Sequence, residues 1–205
     1  TLSSIPVLGA VEEAIAISEY VVAMDPLCGQ CQYQLQRADR LNGQFDEAEG
    51  AARAAMILLP ERTGMPLERD LARTLFFKGE FEAALEVAAA AEALQVQAAA
   101  LYKLGRNAEY AGVLQQAKET YGAAHPAYVA WTYAAIGEYD LALEWLEKPT
   151  EHDPASKARE LEYWVFRPLR DNPRFVAMQE EIGVSPAQLE AINFQPPLPP
   201  GVTIN

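Results

Sequence analysis

Small and apolar residues recur along the chain at intervals of three or four positions, which is the spacing of one helix face. Between Phe45 and Leu58, Ala48, Ala52 and Ala55 follow this period. Half of the 205 residues are apolar and 22% are charged, an ordinary globular balance. The pattern predicts an all-α protein.

A short motif recurs on this helical background: glycine, any residue, an aromatic, an acidic residue, any residue and alanine. A tight turn between helices needs a residue that tolerates positive φ, which explains the glycine. The aromatic packs across the turn, and the alanine lets two helices approach closely. The motif therefore predicts antiparallel pairs of helices, A and B, with the glycine between them. Its copies are Gly43/Phe45/Ala48, Gly79/Phe81/Ala84 and Gly137/Tyr139/Ala142, with a weaker copy at Gly105.

These four glycines follow one another at intervals of 36, 26 and 32 residues. Periods of 20–50 residues indicate stacked helix pairs. Pro26, Pro60 and Pro154 each close a unit, because proline cannot continue a helix but can begin the next one. The fold class that we predict is an α-solenoid of antiparallel helix pairs.

Two parts of the array are irregular. The segment before Pro26, with Ala14 at the close-packing position, matches a B helix that lacks its A helix. Either the chain begins inside an array, or that helix is covered another way; the first residue is not Met. Between Gly79 and Gly105 the sequence fits either two short helices with a turn near residues 91–93 or one bent helix.

The remainder of the chain also has helical signals. Asp153, Asn172 and Ser185 each precede a proline, an arrangement typical of a capped helix start. Phe175, Met178 and Ile182 form an apolar stripe that ends at Gly183. The proline-rich tail is predicted to be extended, with polyproline II character over residues 196–200. We divide the chain into helical repeats (1–154), capping helices (155–193) and tail (194–205).

The net charge of −13 argues against nucleic acid and anionic membrane surfaces as partners. We find no phosphate-binding loop, nucleophile elbow, signal peptide or membrane-spanning run. The two histidines, His125 and His152, have no metal-ligand spacing relative to Cys28 and Cys31. We interpret the cysteines as small apolar residues at a helix start, with a disulfide or a reactive thiol as the alternative. We expect no enzyme activity, cofactor or metal.

The repeated glycine, aromatic and alanine frame resembles the tetratricopeptide repeat family over residues 10–154. That resemblance implies a right-handed superhelix. The segments MDPLCGQCQYQL and FRPLRDNPRFVAMQEEIGV are similar to those of tetratricopeptide regions at the C-terminal ends of bacterial signalling proteins. In such proteins the repeats follow an adenylate cyclase, a protein kinase or a winged-helix regulator. The resemblance implies a regulatory or scaffolding arm.

In stacked helix pairs the A helices line the concave surface. Four arginines and five aromatics are predicted to face that groove, which favours an acidic or C-terminal peptide as the ligand. The alternative is that the arginines pair with Asp39, Asp70 or nearby glutamates while the aromatics form core. The predicted groove residues are Tyr33, Arg37, Arg40, Arg69, Arg73, Phe76, Tyr102, Tyr128 and Trp131.

The leading hypothesis is a non-catalytic module that binds a protein or peptide segment in this groove. One alternative is a homo-oligomerisation module, with a homodimer as its simplest form. The other is a small-molecule sensor with a cavity near Trp131 and Tyr102. A cytoplasmic location is favoured, and a periplasmic one is the alternative if a membrane segment lies upstream.

Overall fold

The regular secondary structure is helical throughout the part of the chain that the structure describes. The structure is a computed structural model, and it describes residues 10–59, 66–150, 153–192 and 197–203. It confirms the predicted all-α, solenoid-like fold. The helices are α1 (Val11–Met24), α2 (Gly29–Asn42), α3 (Phe45–Leu58), α4 (Leu67–Lys78), α5 (Phe81–Ala90), α6 (Leu94–Lys103), α7 (Asn107–Tyr121), α8 (Pro126–Ile136), α9 (Tyr139–Leu146), α10 (Pro154–Leu161), the 3₁₀ helix η1 (Trp164–Leu169), α11 (Pro173–Glu181) and α12 (Pro186–Ile192).

The motif glycines lie at the turns of the helix pairs α2–α3, α4–α5, α6–α7 and α8–α9, as predicted. At the first turn Gly43 has φ 82°, and its N–H donates to Arg40 O while the N–H of Gln44 donates to Asp39 O at 2.9 Å. These two bonds form a Schellman cap, which satisfies the last carbonyls of α2. The other three turns contain the same pair of bonds.

The segment between Gly79 and Gly105 folds as two short helices, α5 and α6, rather than as one bent helix. Glu92 lies in the connection with φ 51°, and the N–H of Ala93 donates to Ala88 O at 2.8 Å. A glutamate therefore occupies the left-handed position that glycine occupies in the marked turns. This is why the sequence contains no turn signal there.

From α1 to α9 each helix packs on the next one along the chain, and α6 also packs on both α4 and α8. The A helices α2, α4, α6 and α8 therefore adjoin one another on one side of the array. The motif alanines Ala48, Ala84 and Ala142 are completely buried, which confirms their close-packing role. Among the motif aromatics, Phe81 packs on Phe76 of its own A helix, whereas Phe45 stacks on Phe77 of the next pair.

α1 packs on α2 through a small cluster of Ala10, Ala14, Ile15 and Ala38. α1 ends at Met24, and Pro26 lies in the turn that follows. The region where an A helix would precede α1 falls in residues 1–9, outside the described residues. Pro60 and His152 lie outside them as well.

The C-terminal helices fold back onto the A-helix side of the array. η1 packs on α2 and α8, and Phe166 and Phe175 enter the same core as the repeats. Trp164 lies edge-on to Phe45, with ring centroids 5.3 Å apart. The boundary at residue 154 stays a prediction, since helices on both sides of it share one core.

The predicted helix starts are confirmed at Asp153 and Asn172, whose side chains accept from the N–H groups of Ala155 and Arg174. The predicted start after Ser185 is also confirmed, since α12 begins at Pro186, but here the N–H of Ser185 donates to Gln188 Oε1 at 3.0 Å. In the described part of the tail, residues 197–203, the chain is not helical. The N–H of Val202 donates to the carbonyl of Pro199 at 3.1 Å. This bond closes a turn, where the sequence predicted an extended chain.

Gly43 and Gly79 form a matched pair for testing the turns. Both have positive φ, but a Cβ on Gly43 would lie 2.3 Å from the Trp164 ring, whereas a Cβ on Gly79 would meet open space. We expect Gly79→Ala to lower the free energy of unfolding by about 1–2 kcal/mol, the cost of left-handed backbone in an L-residue. Gly43→Ala should cost distinctly more, because the ring must also move. Urea denaturation followed by circular dichroism measures both, and equal losses would contradict the contact between η1 and the first turn.

Candidate binding site

A cavity of about 420 Å³ lies between the A helices and the C-terminal segment. Helices α2, α4 and α8 form one side of it, and residues of α10 and the connection to η1 form the other. Six of the nine predicted groove residues line this cavity. They are Tyr33, Arg37, Arg40, Arg69, Arg73 and Tyr128.

The other three predicted residues lie elsewhere, and their assignment to the groove is corrected. Phe76 and Trp131 are only 5% and 1% exposed, and their rings pack together in the core with centroids 5.4 Å apart. Tyr102 is 39% exposed and packs against Tyr110 of α7. These large rings on α4 and α8 are buried between helices, so they do not line a solvent-accessible groove.

The centre of the site is the buried carboxylate of Asp70. Arg40 Nη2 donates to its Oδ1 at 3.0 Å, and Arg73 Nη1 donates to the same oxygen at 3.3 Å. Gln36 Nε2 donates to Oδ2 at 3.4 Å. Burial acts to raise the pKa of Asp70, but the charges of Arg40 and Arg73 outweigh it and hold the pKa below its ordinary value. These two arginines are therefore paired, as the alternative interpretation predicted.

Asp39, the other partner proposed from the sequence, has a different environment. It is 3% exposed, and its surroundings include the carboxylates of Glu19 and Glu47. Burial, together with the charges of those two glutamates, raises its pKa to about 7. Asp39 is therefore a buried acid that is partly protonated near neutral pH.

Tyrosine rings hold the guanidinium groups in place. The Arg73 guanidinium carbon lies 4.7 Å from the ring centroid of Tyr163 and 5.6 Å from that of Tyr128. Arg69 lies 5.4 Å from the Tyr128 centroid, and its Nη1 donates to the Tyr128 hydroxyl at 3.2 Å. Arg37 lies over Tyr33 at 5.9 Å. Such cation–π contacts orient guanidinium groups without neutralising their charge.

The cavity is positive although the chain is acidic overall. Five arginines line it, and the carboxylates that line it are Asp70, Glu160 and Glu162. Burial raises the pKa of Glu162 to about 8, despite the opposing charges of Arg37, Arg170 and Arg159. Glu162 is therefore mostly protonated at neutral pH, and arginine charges outnumber carboxylate charges in the cavity.

The repeat frame could not identify the residues that the C-terminal segment adds to the site. Arg159, Glu162 and Tyr163 line the cavity from outside the A helices. They carry no repeat signal, and only the folding back of the segment brings them to α2 and α4. The A-helix positions of the repeat therefore do not predict these residues.

Comparisons with protein-family models and with curated protein sequences found no match. Among the described residues, no three His, Cys, Asp or Glu side chains are grouped so that they could hold a metal ion. None of the helices described is both long and apolar enough to cross a bilayer.

Replacing Asp70 should reveal how much the fold depends on this carboxylate. Asp70→Asn keeps the shape but leaves the buried guanidinium groups of Arg40 and Arg73 without a counter-charge. Breaking a buried ion pair from one side costs about 3–5 kcal/mol, and we expect a loss of this size in the free energy of unfolding. Glu109→Gln is the control, because it breaks an exposed pair with Arg106 and should leave the urea midpoint unchanged. A loss at Asp70 no larger than the control's would contradict the assignment.

The stability of the protein should fall as pH rises from about 5 to 8. Glu162 and Asp39 hold their protons up to about pH 8 and 7 in the folded chain but release them near 4.5 and 3.8 when unfolded. Between these values the folded state binds more protons, so raising the pH favours unfolding. Asp70, whose pKa is lowered, is ionised in both states over this range.

Urea midpoints at pH 5 and pH 8.5 measure this dependence. Glu162→Gln and Asp39→Asn should each flatten it, because neither replacement side chain titrates. If both variants retain the full pH dependence of the wild type, the buried acids are not its source.

Proposed function

We propose that this chain is a non-catalytic interaction module, and that its cavity binds a carboxylate-bearing segment of a partner protein. The observation that carries the proposal is the convergence of five arginines on one cavity of an acidic protein. Arginine binds carboxylates through two parallel hydrogen bonds, which gives both strength and geometric selectivity.

The arginines divide into two groups with different roles. Arg40 and Arg73 are 5% and 3% exposed and are engaged by Asp70, so they contribute charge rather than contacts to a ligand. Arg37 and Arg69 are partly exposed, and Arg159 is exposed. These three guanidinium groups are the ones that can reach a bound carboxylate.

The size of the cavity restricts the ligand. A volume of about 420 Å³ is within the roughly 300–1,000 Å³ of small-ligand sites. Next to the cavity, η1 of the C-terminal segment packs on the A helices α2 and α8. The site therefore suits an acidic side chain or a chain terminus better than a long extended peptide. The second candidate, a small anionic molecule, is favoured by the same volume, although the cavity lies at Tyr33 and Tyr128 rather than near Trp131 and Tyr102.

We further propose that the chain is a tetratricopeptide-type array and serves as a regulatory arm of a bacterial signalling protein. Support comes from the in-register glycine motif, from the sequential packing of helix pairs and from the adjoining A helices. The right-handed superhelix, the upstream effector and homodimer formation remain predictions.

Binding of an acidic probe tests the function directly. We expect a fluorescein-labelled hexaglutamate peptide with a free C-terminus to bind the wild-type chain. Arg37→Gln and Arg69→Gln should each weaken binding by about 1–3 kcal/mol, the value of a charge-assisted hydrogen bond. Fluorescence anisotropy at two salt concentrations measures the affinity.

Arg106→Gln is the matched control, because Arg106 pairs with Glu109 at the exposed start of α7. It should bind like the wild type. If all three variants bind equally, the cavity is not the site. Binding of free citrate to the cavity without binding of hexaglutamate would favour the small-molecule alternative.

A further inference from the structure

Cys28 and Cys31 are joined by a disulfide, so the interpretation of these residues as small apolar side chains is corrected. Cys28 is the N-cap residue of α2, and Cys31 lies in the first turn of that helix. Both are partly exposed. The pair lies at the opposite end of α2 from Arg40, so the carboxylate site does not involve it.

We propose that Cys28 and Cys31 form a thiol–disulfide exchange site for a partner protein, with Cys28 as the cysteine that forms the mixed disulfide. This activity is separate from the proposed carboxylate binding and does not rest on it.

The position of Cys28 favours its thiolate form. The backbone N–H of Cys31 donates to Cys28 Sγ at 3.2 Å, so a donor already points at the sulfur that would carry the charge. The first turn of α2 contains no acidic residue to oppose the helix dipole. The neighbouring carboxylate of Asp25 is exposed and accepts from the N–H of Leu27. Helix N-termini and Cys-x-x-Cys pairs lower thiol pKa values in proteins.

The surroundings of the pair leave room for a partner. Gly29, between the cysteines, lies against the end of α3, where an added Cβ would be 2.7 Å from Leu59 Cγ. That contact fixes one side of the turn. On the chain leading into the turn, Met24 and Leu27 are 72% and 77% exposed. A partner's polypeptide would therefore find apolar side chains next to the disulfide.

The exchange conserves atoms and electrons. A thiolate of the partner attacks Cys28 Sγ, the Cys28–Cys31 bond breaks, and Cys31 leaves as a thiolate that takes a proton from water. A second thiolate of the partner then attacks the partner's sulfur in the mixed disulfide. The partner's own disulfide forms, and Cys28 is released as a thiolate. The partner dithiol is oxidised by two electrons, and the cysteine pair is reduced. A protein or glutathione disulfide restores the pair by the reverse steps.

The test uses iodoacetamide alkylation across a pH series, with each cysteine followed by peptide mass spectrometry. In Cys31→Ser we expect an apparent pKa for Cys28 at least about one unit below the 8.5 of an ordinary thiol. In Cys28→Ser the thiol of Cys31 should not show this lowering. Repeating the series in urea should return Cys28 to its ordinary value, which shows that the folded helix causes the shift.

A second measurement tests the exchange itself. Oxidised glutathione should form a mixed disulfide on Cys28 in Cys31→Ser, and it should convert the reduced wild-type chain to the intramolecular disulfide. If either variant fails to show helical circular dichroism, the reduced wild-type chain is used instead, and the rate of alkylation is measured separately at each cysteine. An ordinary or raised pKa at Cys28, or a pair that does not react with glutathione, would overturn the proposal.

Discussion

The carboxylate of Asp70 is the constraint on which the site depends. It lies on α4 and is buried between guanidinium groups from α2 and its own helix, so it ties the first two A helices together. A buried charge of this kind is tolerated only when it is paired, and here one carboxylate faces two cations. The tyrosine rings of α8 and the C-terminal segment lie against Arg73 and orient its guanidinium group, so the remaining positive charge is not neutralised. The stability of the site and the carboxylate binding that we propose for it therefore depend on the same group of residues.

The C-terminal segment covers part of the surface that the A helices would otherwise present to solvent. An open array presents its A helices as a long concave surface. Here η1 packs on α2 and α8, Trp164 packs on Phe45 beside the first turn, and Phe166 enters the core. What remains between the A helices and the segment is a cavity of about 420 Å³ that is open to solvent on one side. Since Glu162 of this segment is mostly protonated at neutral pH, the segment lines the cavity without cancelling its positive charge.

Local signals in the sequence were sufficient for the helix pairs but not for the site. Gly43 and Ala48 predict a turn and a close helix contact because their effects involve only neighbouring residues. Phe76 and Trp131 lie on A helices, yet their burial depends on which helices meet at their ends, and that is set by the whole array. Glu162 and Tyr163 reach the cavity through contacts between distant parts of the chain. Glu92 has a positive φ, which its residue type does not predict. The pairing of Cys28 with Cys31 was one of several alternatives, because it depends on where α2 begins.

The central claim is that Arg37 and Arg69 provide a positive, carboxylate-binding cavity whose shape Asp70 fixes. The most direct measurement is a titration of the folded chain with triglutamate, following the arginine side-chain Nε–H resonances by nuclear magnetic resonance. The proposed site predicts saturable shifts at Arg37 and Arg69, with Arg53 of α3 and Arg106 at the start of α7 unaffected. Shifts that do not saturate, or that are equal at all four arginines, would contradict it.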